Sequence, residues 1–205
     1  MPINIGIALR YKDDLLDRTT TTVDEHNKII HKSGKVWLGK FGVPIGTGIL
    51  KALSEPTVQA TLILLRSNQP KSDNRPKYHS APISEARNAR PKSTLIPAYY
   101  RKEPQVNTWF CLAQDIQPLT DAEVKSWVII SSGQTLLATI RYAVRPFFLI
   151  TKKADLGKCR QFLERVEIQA RSSRESSPPL RRPKWDHIPS ANEDETDTAD
   201  SSNLG

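Results

Sequence analysis

From Ile3 to Leu65 the chain changes repeatedly between the strict alternation of a strand and the three-to-four-residue spacing of a helix. A chain patterned that way must interleave the two elements. Ile3, Ile5, Ile7 and Leu9 alternate with Asn4, Gly6, Ala8 and Arg10, which predicts a half-buried strand. Thr22 followed by Glu25 reads as a capping box, so a helix is expected from about Val23, with Val23, His26, Ile29 and Ile30 on its apolar side and Gly34 as its stop. Lys35–Phe41 reads as a second strand, Ile49–Leu53 as a short helix ended by Pro56, and Thr57–Leu65 as a β-branched central strand.

The pattern fails from Arg66 to Pro104. Prolines 70, 76, 82, 91, 97 and 104 are too frequent for a central strand or a continuous helix, which predicts a long flexible insertion. Order resumes at Val106–Asp115, where Trp109, Cys111 and Ala113 oppose Phe110 and Leu112. Trp127–Ile130, a helix through Leu136, Leu137 and Ile140, a strand at Phe147–Thr151 and a helix carrying Leu156, Cys159, Phe162, Leu163 and Val166 complete the series. The expected fold is a mixed α/β (α+β) domain over residues 1–170, with a flexible basic insertion at 66–104 and a disordered tail at 171–205. No run is long and apolar enough for a membrane span, the start lacks a signal-peptide pattern, and Cys111 and Cys159 sit in apolar segments as buried thiols. A cytoplasmic protein is expected.

Charge then narrows the partner. The 30 basic and 22 acidic residues give a net charge of +8, yet no basic residue follows Lys184, whereas Asp186, Glu193, Asp194, Glu195, Asp197 and Asp200 crowd the last stretch. The body is therefore more cationic than the net charge suggests, and the acidic tail can compete with a polyanion for it. Removing Asp186–Gly205 is expected to tighten such binding. Between Arg66 and Lys102, the cations Arg66, Lys71, Arg75, Lys77, Arg87, Arg90, Lys92, Arg101 and Lys102 face only Asp73 and Glu85, and Tyr78, Tyr99 and Tyr100 are interleaved with them. Cations neutralise phosphates and aromatic faces stack on bases, so this composition points to DNA or RNA.

The expected nucleic-acid contacts are Lys35, Lys40, Arg75, Lys77, Arg87, Arg90, Arg101 and Lys102 on phosphates, with Trp37 and Tyr100 as stacking faces. Trp37 shares its strand face with Lys35 and Gly39, and a lysine rarely faces a core, which favours an open cleft there. The stretch Pro178–Trp185 can instead engage a protein groove, and a protein-interaction component of a mobile-element or defence system is the alternative function.

Catalysis finds little footing. His26, His31, His79 and His187 lack metal-ligand spacing, so no metal and no cofactor are expected. His26 is expected at the core edge. A metal-dependent nuclease would have to assemble Asp14, Glu25, Lys35 and Lys40, whose spacing does not demand it. Gly42–Gly48 lacks the Gly-Lys-Ser/Thr of a phosphate loop and reads as a turn between core elements, with anion binding as its other use. The leading expectation is a non-enzymatic nucleic-acid-binding module.

Two segments carry a family likeness: Glu25-His26 through Val36-Trp37-Leu38-Gly39-Lys40-Phe41, and Thr108-Trp109-Phe110-Cys111-Leu112-Ala113-Gln114-Asp115-Ile116-Gln117-Pro118-Leu119. The chain resembles the PUA-like superfamily, which includes the EVE and ASCH modules, where a short aromatic strand leads into an Ile-containing turn as a small pseudo-barrel closes. The resemblance implies a nucleic-acid-binding pseudo-barrel whose pocket admits a flipped, possibly modified base, with Trp37 and Trp109 as its positions. The early strand-helix-strand-helix order and the long insertion depart from a compact module of this type.

Overall fold

The computed structural model describes residues 2–13, 20–67, 75–140 and 147–175, with the side chains of 102 and 169–175 excepted. β1 (Ile3–Tyr11), β2 (Val36–Phe41), β3 (Val58–Arg66), β4 (Tyr78–Arg87), β5 (Val106–Leu112), β6 (Gln117–Leu119), β7 (Trp127–Ile129) and β8 (Phe147–Lys152) form one mixed sheet. Its order is β2-β5-β4-β3-β1-β8-β7, with β6 on β4. Only β1 and β3 run parallel among these pairings. The link between them supplies α1 (Thr22–Ser33), β2 and α2 (Thr47–Leu53). α3 (Asp121–Lys125), α4 (Leu136–Ile140) and α5 (Leu156–Glu175) follow, and α5 runs past Ala170.

One face of the sheet buries Ile5, Ile7 and Leu9 with Val36 and Leu38, Leu62 and Leu64, and Phe110 and Leu112, closed by Val23 and Ile30 of α1, Leu50 and Leu53 of α2, and Cys159 of α5. β1 and β2 are four places apart in strand order, yet Leu9 and Leu38 line one cavity, so the sheet curls into an open, barrel-like wall whose end strands are not paired with each other. The outward face divides in two. Ala8, Ile63, Leu65, Trp127, Phe148 and Ile150 pack on α4, while Trp37, Trp109, Cys111, Val106, Tyr100 and Ile96 form a separate aromatic cluster.

The proline-rich stretch holds a central strand, which corrects its reading as an insertion outside the sheet. β4 lies between β3 and β5, and Pro82 sits where one ladder hands over to the other. Pairing with β3 ends at Thr61↔Pro82, and pairing with β5 begins at Ile83↔Leu112. A missing amide hydrogen costs little at such a junction. An irregularity between Ile83 and Glu85 then shifts the buried positions from 79, 81 and 83 to 86. That shift erases the alternation by which a strand is read. Farther along, Ser93–Leu95 and Ala98–Lys102 wind into short 3-10 turns.

The first helix is capped one residue earlier than the sequence suggested. Thr21 accepts from the Asp24 amide, and Asp24 returns a bond to the Thr21 amide, so the box is Thr21/Asp24 rather than Thr22/Glu25. Gly34 closes the helix at φ 73°, in the left-handed region. A second capping box, Thr120/Glu123, starts α3, which the sequence reading passed over.

Gly39 is required by close approach rather than by its backbone angle. A Cβ there would stand 2.4 Å from Val106 Cγ1 and 3.1 Å from both the Trp109 and Tyr100 rings. Gly39→Ala is therefore expected to lower unfolding free energy by roughly 1–3 kcal/mol through overpacking. A urea midpoint equal to that of the unaltered protein would refute the crowding.

Candidate nucleic-acid interface

The side chains that point into the barrel from β2 are Val36, Leu38 and then Lys40, so a lysine follows two core residues on the same row. Lys40 is only 5% exposed. Its ammonium donates to the carbonyls of Val43 at 2.6 Å and Phe41 at 3.2 Å and lies 4.9 Å from the centre of the Phe147 ring. No carboxylate pairs with it among the described residues. Burial pushes its pKa below the usual lysine range.

Lys40 forms part of the wall of a cavity of about 580 Å³ at the barrel mouth. Leu9, Leu38 and Leu64 give it an apolar lining, Tyr11, Phe41, Tyr99 and Tyr100 give it aromatic walls, and Arg10 and Lys12 stand exposed at its edge. Tyr99 and Tyr100 come from the second 3-10 turn, their ring centres 4.4 Å apart, and Phe41 lies 5.9 Å from Tyr100. Tyr100 donates to the Gly39 carbonyl at 3.1 Å, and burial raises its phenol to about 12. The Tyr99 hydroxyl is buried without a well-formed hydrogen bond among the described residues, and burial pushes its pKa far up as well. Behind both rings sits His26, wholly buried, its Nδ1 2.6 Å from the Thr22 carbonyl and its Nε2 without a hydrogen-bond partner among the described residues.

Arg90 fixes this aromatic turn. Its guanidinium donates to the carbonyls of Tyr100, Arg101 and Glu103 and lies 5.5 Å from the Trp109 ring centre. Arg87 lies 4.2 Å from the Trp37 ring centre and 3.5 Å from Glu85. Arg90 thus holds the aromatic turn, while Arg87 lies over Trp37 with its side chain still 39% exposed. Trp37 and Trp109 are 2% and 0% exposed and do not line the cavity, so they offer no stacking face, whereas Tyr100, 4% exposed, does line it. The cleft expected beside Trp37 is a second small core, because Tyr100, Ile96 and Val106 cover that side of β2 and β5.

A second cavity of about 460 Å³ shares Tyr11 with the first. Asp13 dominates it. Its carboxylate accepts from the Thr22 amide at the start of α1, meets Arg66 at 2.7 Å and stands 4.0 Å from Arg75. Tyr11 and His79 touch across the same wall at 3.3 Å.

Of the expected contacts, Lys40 and Tyr100 meet in the first cavity and Arg75 lines the second. Lys35, Lys77 and Arg101 are exposed away from both linings. The side chain of Lys102, Asp14, His187 and the Pro178–Trp185 segment lie outside the described residues. Glu25, proposed with Asp14 for a nuclease, pairs instead with Lys28 at 3.1 Å, and no metal-holding group of His, Cys, Asp or Glu occurs among the described residues. In the glycine segment Ile45 is buried, its amide donating to Thr108 and its carbonyl accepting from Asn88, while Gly42, Val43, Pro44, Gly46 and Thr47 are exposed. Sequence reasoning missed Tyr11, Phe41 and Tyr99 as one set. Extending the β1 alternation by one step would have placed Tyr11 inside with Leu9.

A curled mixed sheet with a cavity at its mouth is the architecture that the two short sequence segments implied, and a family model described as Pua-like matches residues 7–139. The chain belongs to the Pua-like family. The matched span runs from β1 to α4 and takes in every residue of the first cavity. No curated protein and no solved structure matches the chain. Among the described residues of this Pua-like chain, no helix is long and apolar enough to cross a membrane.

Proposed function

We propose that this protein is a non-catalytic nucleic-acid-binding module that takes one base of a single strand into the barrel-mouth cavity. The observation that carries the reading is the joining, in one cavity of about 580 Å³, of four aromatic side chains with a buried lysine. Planar apolar walls suit a base, and the lysine suits its polar edge. Arg10 and Lys12 at the edge, and Arg75 in the adjoining cavity, carry the charge that the phosphates on either side require. Membership of the Pua-like family supports the same class of partner. The Lys35, Lys77, Arg101 and Lys102 contacts belong to this proposal as more distant electrostatic support.

Binding measured by fluorescence anisotropy with single-stranded RNA and DNA decamers tests it. With about four phosphates neutralised, affinity is expected to fall on the order of fifty-fold between 50 and 200 mM salt. An affinity that stays flat across that range removes the electrostatic part of the reading.

The cavity is tested separately. Ser67 lines it, and its backbone amide already bonds the Tyr11 carbonyl, so Ser67→Trp fills the space without removing that bond. Loss of most binding is expected. Phe41→Ala, which removes an exposed aromatic wall, is expected to weaken binding roughly tenfold. Unchanged affinity in both variants would place the strand elsewhere.

A further inference from the structure

The buried ammonium of Lys40 has three hydrogens, and two of them go to the Phe41 and Val43 carbonyls. One is left on a side chain that forms the cavity wall. A cation on a residue only 5% exposed, with neutral carbonyls and no carboxylate around it among the described residues, is costly for a fold. A methionine of similar length would continue the Val36–Leu38 row at no such cost. The lysine is therefore accounted for by what enters the cavity.

The surroundings restrict that group. Lys40 repels a cationic ligand, which disfavours positively charged methylated bases and alkylammonium groups despite the aromatic walls. As a donor without an acceptor site, it also rejects an amino group placed against it. A ring carbonyl satisfies it. Leu9, Leu38 and Leu64 line the same cavity, and a phosphate placed against them would lose its water to hydrocarbon.

We infer that Lys40 is the specificity-determining residue of the cavity and selects a base presenting a ring carbonyl, the 4-keto group of uracil or thymine or the 6-keto group of guanine, over its amino-bearing counterpart. This inference rests on the base-binding reading above and adds which bases are accepted. The amino base loses twice, because its own donor meets a donor and the ammonium stays unsatisfied.

Uracil and cytosine test it most directly, since their rings are the same size, share the 2-keto group and differ only along the 4-keto/N3–H edge that becomes 4-amino/N3 in cytosine. Anisotropy with single-stranded decamers of uridine and of cytidine is expected to show about tenfold tighter binding of the uridine strand. In Lys40→Met the ratio is expected to fall to near one, chiefly through weaker uridine binding, while Lys40→Arg keeps part of the preference. Thermal melting of Lys40→Met is expected to match or exceed that of the unaltered protein, which separates lost selectivity from lost folding. Equal binding of both strands by the unaltered protein overturns the inference and leaves base binding standing. A preference that survives in Lys40→Met also overturns it. If neither strand binds, the base-binding reading falls and this inference falls with it.

Discussion

Trp109→Ala is expected to lower the free energy of unfolding by about 3–5 kcal/mol, the largest effect of any substitution considered. Trp109 has no exposed surface and packs within Trp37, Ile96, Tyr100, Val106 and Cys111. Truncation removes the ring against which Tyr100 leans edge-on at 5.5 Å and leaves a void beneath the Arg90 guanidinium. Trp109→Phe is expected to cost far less, because the buried indole Nε1 has no hydrogen-bond partner among the described residues and its removal breaks no bond. Urea midpoints of the two variants check this. An alanine variant that loses less than about 1.5 kcal/mol would mean that the cluster collapses around the gap. The alanine variant is also expected to bind nucleic acid more weakly, since Tyr100 is a wall of the cavity although Trp109 never reaches it.

The second large effect is on pH. Full burial lowers the His26 pKa from about 6.5 to about 4, against smaller opposing contributions from the Thr22 carbonyl and Glu25. The folded state therefore holds a neutral imidazole where the unfolded chain takes up a proton. Its stabilising contribution is complete above about pH 6.5 and falls as pH drops towards 4, below which both states are protonated. The loss is about 2 kcal/mol by pH 5 and up to about 3 kcal/mol by pH 4. Denaturation of the unaltered protein and of His26→Gln at pH 7 and pH 5 isolates it, because the glutamine variant lacks this slope. Parallel curves for the two proteins would show that His26 accepts a proton in place. Because His26 backs Tyr99 and Tyr100, acid is expected to loosen the cavity wall before the rest of the sheet.

Much of the fold was legible because local and tertiary preferences agree. The Ile3–Leu9 alternation, Gly34 as a helix stop, the Phe110/Leu112 face opposed to Trp109/Cys111, and the helical row through Cys159 all reappear in place. β4 was hidden because a proline and a shifted register interrupt it, and both make sense only beside β3 and β5. β6 and α3 are too short to carry a period. The site was legible in kind but not in residues. Lysine on the Trp37 face suggested a cleft, yet Lys35 precedes the strand and is exposed, while Lys40 alone turns inward. The aromatic turn at Tyr99–Tyr100 folds over Trp109 because Arg90 pins its carbonyls. A bond of that kind has no signature along the chain.

The placing of β1 between β3 and β8 has a consequence for how the chain is made. β1 finds its last neighbour only when Phe147–Lys152 has emerged, so the middle of the sheet is sealed after β2 to β7 have been made. Until then β1 keeps one bare edge rich in isoleucine, and a nascent or truncated chain that stops short of β8 is expected to stick to others through it.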